Sequence, residues 1–186
     1  GGGFKVPYKD GDTETDIDLL AQKVKEAFSN HPNPNNKPLQ IWFEPGKYLV
    51  SEAGYFVTQV NVLKETNSTV FAGVDSGFNH LIRPMFYNSY HRIENISNAN
   101  GTKSEYTIVG NICETDTFAT DRKVNEVREG DYLAFYNAGA YGFEMSSNFN
   151  SRLRPAEVLV KEGKASLIRK REVFEDLLKN QIDIGV

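Results

Sequence analysis

A chain of 186 residues, 39% hydrophobic and 12% aromatic, can bury one sizeable core or two small ones. Its formal net charge of -4 and its dispersed lysines and arginines leave no basic stripe of the kind nucleic acid or an anionic membrane requires. A single cysteine excludes an internal disulfide framework, no apolar run approaches membrane-spanning length, and a cytoplasmic protein is the expectation.

The chain opens on Gly1-Gly2-Gly3 with no initiator methionine. Consecutive glycines accept positive φ and leave backbone N–H groups free to converge on a phosphate. Ile17, Leu20, Ala21, Val24 and Phe28 recur at helical spacing behind a start rich in Asp and Thr, and Asn30-His31-Pro32 ends the run. This predicts an amphipathic helix. After a loop over 32–38, Leu39-Gln40-Ile41-Trp42-Phe43 reads as a short buried strand that runs into a turn at Glu44-Pro45-Gly46. From Tyr48 onward the helical period disappears. Apolar and β-branched runs at 55–63, 70–74, 106–112, 132–136, 156–160 and 165–168 take over, with turns at Asn98-Ala99-Asn100-Gly101 and Glu162-Gly163-Lys164. A last helix should carry Val173, Phe174, Leu177 and Leu178 on one face.

Three further stretches bear chemistry. In Arg83-Pro84-Met85-Phe86-Tyr87 the proline disfavours helix at Arg83, so an extended segment is expected, with a guanidinium able to grip a carboxylate bidentately. In Ile112-Cys113-Glu114-Thr115-Asp116 a thiol that can give up and regain a proton near neutrality stands beside a carboxylate that can pair with an ammonium group. Metal binding by Cys113 is not expected, because it has no partner cysteine and His31, His80 and His91 lack ligand spacing. In Ala138-Gly139-Ala140-Tyr141-Gly142 small residues permit close backbone approach, and Tyr141 adds a flat ring and a hydroxyl.

Taken in order, these elements resemble the C-terminal portion of the diaminopimelate decarboxylases. Those are pyridoxal 5'-phosphate (PLP) enzymes of the alanine racemase and ornithine decarboxylase fold type, which make lysine. The resemblance implies an α+β chain: residues 1–50 as the end of a PLP-binding (β/α)8 barrel, and 51–186 as an alanine-racemase-type β-domain. It implies that Gly2 and Gly3 hold the cofactor's phosphate, that Gly46 contacts the cofactor, and that Glu44 faces its ring nitrogen, keeping the ring an electron acceptor. Lys47 is implied to bind the cofactor's phosphate or the substrate's carboxylate; it stands where the family usually has arginine, and a point charge replaces a planar fork there. Arg83 and Tyr87 are implied to read the distal end of the substrate, and Tyr141 to contact cofactor and substrate. Cys113 is implied to be the proton donor after carbon dioxide departs. Glu114 favours diaminopimelate, because related enzymes for basic amino acids carry Cys-Asp at this place. The family more often continues Ser-x-Asp, whereas Thr115-Asp116 brings the aspartate one residue early. The lysine that bonds PLP lies early in the barrel in this family, so the chain reads as a fragment that is inactive alone, from a homodimer in which Cys113 and Glu114 reach the partner's cofactor. A decarboxylase for carboxynorspermidine or ornithine, and a stand-alone β-domain that has lost catalysis, remain as alternatives.

Overall fold

The computed structural model describes residues 2–32 and 37–185. Gly1 of the glycine run and residues 33–36 of the expected loop lie outside the described residues. Helix α1 (Ile17–Ser29) starts where expected: the Asp16 carboxylate accepts the Leu19 N–H at 2.8 Å and caps the first turn. None of its residues is buried, and its apolar side, with Leu20, Val24 and Phe28, lines an open groove shared with Ile41 and Phe43.

The strand expected at 39–43 is not formed. Leu39, Ile41, Trp42 and Phe43 are exposed, Trp42 to 82%, and no described strand pairs with this stretch. The hydrophobic pattern is that of a strand, but a strand exists only through a neighbour that takes up its backbone N–H and C=O groups. The turn after it passes directly into a short helix, α2 (Gly46–Val50). Phe4 docks on this corner, its ring 5.9 Å from Phe43 and 5.7 Å from Tyr48.

The rest of the chain is built on a six-stranded mixed sheet. Its strands are β1 (Phe56–Glu65), β2 (Val70–Val74), β3 (Ile93–Asn95), β4 (Lys103–Val109), β5 (Thr117–Asn125) and β6 (Tyr132–Phe135), in the order β3-β6-β1-β2-β4-β5. Only β2 and β4 run parallel. The sheet curls until its two edges meet: Asn95 Nδ2 donates to the Glu126 carbonyl at 2.8 Å, and Arg122 Nη1 to the His91 carbonyl at 2.6 Å. The result is a nearly closed barrel, which hides the edges that an open sheet would expose. Inside lie Val60, Val74, Leu81, Ile108, Leu133 and Phe135, with Phe56 and Phe118 ringed against Phe135. A separate hairpin, β7 (Glu157–Lys161) and β8 (Lys164–Arg169), turns at Glu162 and Gly163, both at positive φ, and a short helix α4 (Phe174–Leu178) follows it.

One element departs from expectation inside this domain. Arg83-Pro84-Met85-Phe86-Tyr87 is a helix, α3 (Arg83–Tyr87), with Pro84 in the first turn. A proline there forfeits no hydrogen bond, since the first N–H groups of a helix have no internal acceptor, and its fixed φ suits the turn. Asn88, at φ 51, closes the helix in the left-handed conformation.

The Ala138–Gly142 stretch sits at the seam between the sheet and the segment that leads into it. Gly139 N–H donates to the Ser51 carbonyl at 3.0 Å, and Ala138 N–H to that of Gly54 at 2.8 Å. A Cβ on Gly139 would fall 1.9 Å from the Val50 carbonyl oxygen, so no other residue fits without moving that backbone. This close packing lets Tyr141, at φ 60, stand out from the sheet beside α2 and α3.

Candidate active site

Beside that seam lies a cavity of ≈ 670 Å³, lined by Gly2, Gly3, Phe4, Glu44, Pro45, Lys47, Tyr48, Arg83, Tyr87, Tyr141 and Met145. Its floor is backbone on backbone: a Cβ at Gly2 would stand 3.0 Å from the Glu44 carbonyl oxygen, and Gly3 adopts φ 98. Gly46 is the one residue assigned to the cofactor that does not line it; Gly46 opens α2 and faces open space.

Arg83 is fixed from both sides. Its Nη1 donates to the Tyr8 hydroxyl at 2.7 Å and its Nη2 to Ser89 Oγ at 3.3 Å, while its guanidinium carbon lies 5.2 Å from the Tyr8 ring centre and 5.6 Å from that of Tyr141. Two of its five N–H groups are thus occupied, and the remainder can serve an anion. The aromatic faces hold the cation in place without neutralising it.

Cys113 and Glu114 are elsewhere, both exposed, on the 110–116 loop that joins β4 to β5. Asn150, held in the left-handed conformation at φ 55, donates from Nδ2 to Cys113 Sγ at 3.7 Å. Beneath the loop, Asp116 is buried. Its Oδ1 accepts the Phe78 N–H at 2.8 Å and its Oδ2 the Ile112 N–H at 3.0 Å. Burial raises its carboxyl pKa, against those two hydrogen bonds, which lower it.

Sequence reasoning missed Tyr8 and Asp116 as parts of the site, and also His91. That imidazole is 2% exposed, lies edge-on to the Tyr8 ring at 5.7 Å, and donates from Nδ1 to the Tyr136 carbonyl at 2.8 Å. Burial, with Arg83 and Arg122 nearby, pushes it down from 6.5 to about 4. A histidine whose folded pKa is depressed leaves the unfolded chain binding more protons between those two values, so stability falls as pH drops from 6.5 to about 4. We expect His91→Gln to flatten this part of the curve of Tm against pH. An unchanged slope in the variant would assign the acid sensitivity to other groups.

The curled sheet with its cavity at the seam is the sheet domain of a known class of enzyme. Residues 47–139 match the family described as pyridoxal-dependent decarboxylase, C-terminal sheet domain, and the chain belongs to that family. It is 47% identical over 185 residues to a diaminopimelate decarboxylase of Methanothermobacter thermautotrophicus, an alignment that takes in 97% of this chain and 43% of the relative. Among solved structures it is similar to diaminopimelate decarboxylase from M. jannaschii, with a TM-score of 0.88 and 35% identity over 99% of this chain and 42% of that one. It is also similar to the Helicobacter pylori enzyme complexed with L-lysine, with a TM-score of 0.84 and 35% identity over 96% of this chain and 42% of that one. The chain thus spans less than half the length of the relatives it matches.

The cavity suits part of a PLP molecule. The open glycine floor and Lys47 would take its phosphate, and Glu44 its ring nitrogen. When bound, PLP supplies an electron sink for the pair left behind as a carbon–carbon bond breaks.

Proposed function

We propose that this chain is the C-terminal part of a PLP-dependent decarboxylase that converts meso-2,6-diaminopimelate to L-lysine and carbon dioxide. The observation that carries the reading is the single cavity that gathers Gly2, Gly3, Glu44, Lys47, Arg83, Tyr87 and Tyr141 from stretches more than 100 residues apart in sequence. Residues 1–50 are the end of the cofactor-binding barrel and 51–186 the sheet domain. Two cations and a carboxylate in one cavity suit a ligand that bears both phosphate and a protonated ring nitrogen.

The substrate carries an amino-acid group at each end. Loss of carbon dioxide at one end leaves an electron pair that must take up one proton, and recognition of the other end must distinguish it from a plain amine. In this reading Arg83 pairs with the distal carboxylate, helped by the hydroxyls of Tyr87 and Tyr141. Glu114 pairs with the distal ammonium, and the Cys113 thiol delivers the proton. Because Cys113 and Glu114 do not line the cavity of their own chain, they serve the cavity of a second copy in a homodimer. A small-molecule biosynthetic role of this kind suits the cytoplasm. The test is substrate choice by the full-length protein: meso-diaminopimelate should be turned over with a kcat/KM well above those for ornithine and carboxynorspermidine. A preference for either of the latter would transfer the assignment to the related enzymes, and failure to turn over any of them would favour a non-catalytic domain.

A further inference from the structure

We propose that Asp116 is the positioning residue of the Cys113–Glu114 loop, a carboxylate that acts on the reaction only through the two side chains it aims. The inference rests on the roles given above to Cys113 and Glu114. The loop is exposed at both functional residues and is held on its outer side only by long bonds, Asn150 Nδ2 to Cys113 Sγ at 3.7 Å and Arg152 Nη2 to the Asn111 carbonyl at 3.5 Å among the described residues, so its geometry is set chiefly from below. Asp116 does this by joining two loops. One oxygen binds the Ile112 N–H, immediately before Cys113, and the other the Phe78 N–H in the connection between β2 and α3. Two backbone bonds tighten the same joint: Gly110 N–H to the Asp116 carbonyl at 2.8 Å, and Asn111 N–H to that of Ser76 at 2.9 Å.

The second loop is itself braced. Ser76 Oγ donates to His80 Nδ1 at 2.6 Å, and His80 Nε2 donates to the Leu153 carbonyl at 3.0 Å. The carboxylate also occupies space that two glycines leave for it. A Cβ on Gly110 would stand 2.0 Å from Asp116 Oδ2, and one on Gly77 would stand 2.6 Å from the same atom. With an aspartate directly after Thr115 the loop is short, and Cys113 and Glu114 are left with little freedom once residues 110, 112 and 116 are fixed. Geometry held this closely matters, since a displacement of about 1 Å at a reacting group can cost on the order of 10²-fold in rate.

The test is a pair of variants in the full-length enzyme, each measured in the wild-type background and in Cys113→Ala/Glu114→Gln. Asp116→Asn keeps shape but retains only one acceptor oxygen, so one of the two N–H bonds is lost. Gly110→Ala keeps the carboxylate and displaces it. Both should lower kcat/KM for diaminopimelate by about tenfold or more in the wild-type background, and by less than about twofold where the two aimed side chains are already gone. Amide hydrogen exchange at Phe78 and Ile112 should quicken in Asp116→Asn while PLP affinity is unchanged. Equal losses in the two backgrounds would mark a merely structural role and overturn the proposal, as would unaltered exchange at both amides. If Cys113→Ala/Glu114→Gln itself retains wild-type turnover, the catalytic reading of the loop falls and this proposal falls with it, an outcome distinct from the other two.

Discussion

Cys113→Ala in the full-length enzyme should slow lysine formation by about two to four orders of magnitude, the range that general acid catalysis contributes, while PLP still binds. Retained binding is expected because the residues assigned to the cofactor, Gly2, Glu44 and Lys47, line the cavity and are untouched by the loss of a thiol that a neighbouring copy brings to it. Cys113 is exposed, has a single weak donor in Asn150, and packs into no core, whereas a cysteine kept for packing would be buried. Turnover and cofactor titration of the same preparation decide the matter, and unchanged turnover would return Cys113 to an ordinary loop residue.

Substrate discrimination should fail in two distinguishable ways. Neutralising one member of a charged, desolvated pair typically costs about 2 to 5 kcal/mol, because the other charge is left unpaired. Glu114→Gln should therefore lower kcat/KM for diaminopimelate by well over tenfold, and Arg83→Ala likewise. Lysine keeps both groups of the distal end, because carbon dioxide leaves from the other; the two variants differ with cadaverine, a diamine that keeps a distal ammonium and lacks the carboxylate. Both variants should weaken product inhibition by lysine, but Arg83→Ala should leave inhibition by cadaverine nearly unchanged, whereas Glu114→Gln should weaken inhibition by both. Equal damage to cadaverine and lysine inhibition in Arg83→Ala would remove the carboxylate assignment and favour a substrate of the polyamine kind. Some loss in Arg83→Ala has a second source, since the Tyr8 hydroxyl loses its donor and Tyr8 and Tyr141 lose a cation.

The parts of the fold that were legible in sequence are those whose pattern is local. Helix α1 announces itself through Asp16 and the spacing of Ile17, Leu20, Val24 and Phe28, and β2 through an unbroken apolar run, Val70–Val74. Strand β5 (Thr117–Asn125) was not legible, because Asp121, Arg122 and Lys123 interrupt it. Those charges sit at a bulge, where Asp121 takes φ 49 and the pairing slips between Ile108–Ala119 and Tyr106–Arg122. At three residues, β3 is too short to carry a pattern. Residues 39–43 show the converse failure, a strand pattern with no ladder to join. In the site, Glu44, Lys47, Arg83 and Tyr141 could be named because each stands in a compact motif. Tyr8 and Asp116 could not, because their roles are defined by contacts with Arg83, 75 residues away, and with Phe78, 38 residues away. Proline misled at Arg83, where its bias of the preceding residue toward extended backbone gives way in the first turn of a helix, a place that costs proline no hydrogen bond.

The most direct measurement is lysine formation from meso-diaminopimelate with added PLP, run side by side on these 186 residues alone and on the full-length protein that contains them. Each active site in this account needs a lysine to bond PLP, carried by the other half of the barrel, and a Cys113–Glu114 loop from the neighbouring copy. The full-length protein should release lysine and carbon dioxide in equal amounts over many turnovers, and the isolated chain should release neither. Multiple turnover by the isolated chain, or none by the full-length protein, would contradict the account.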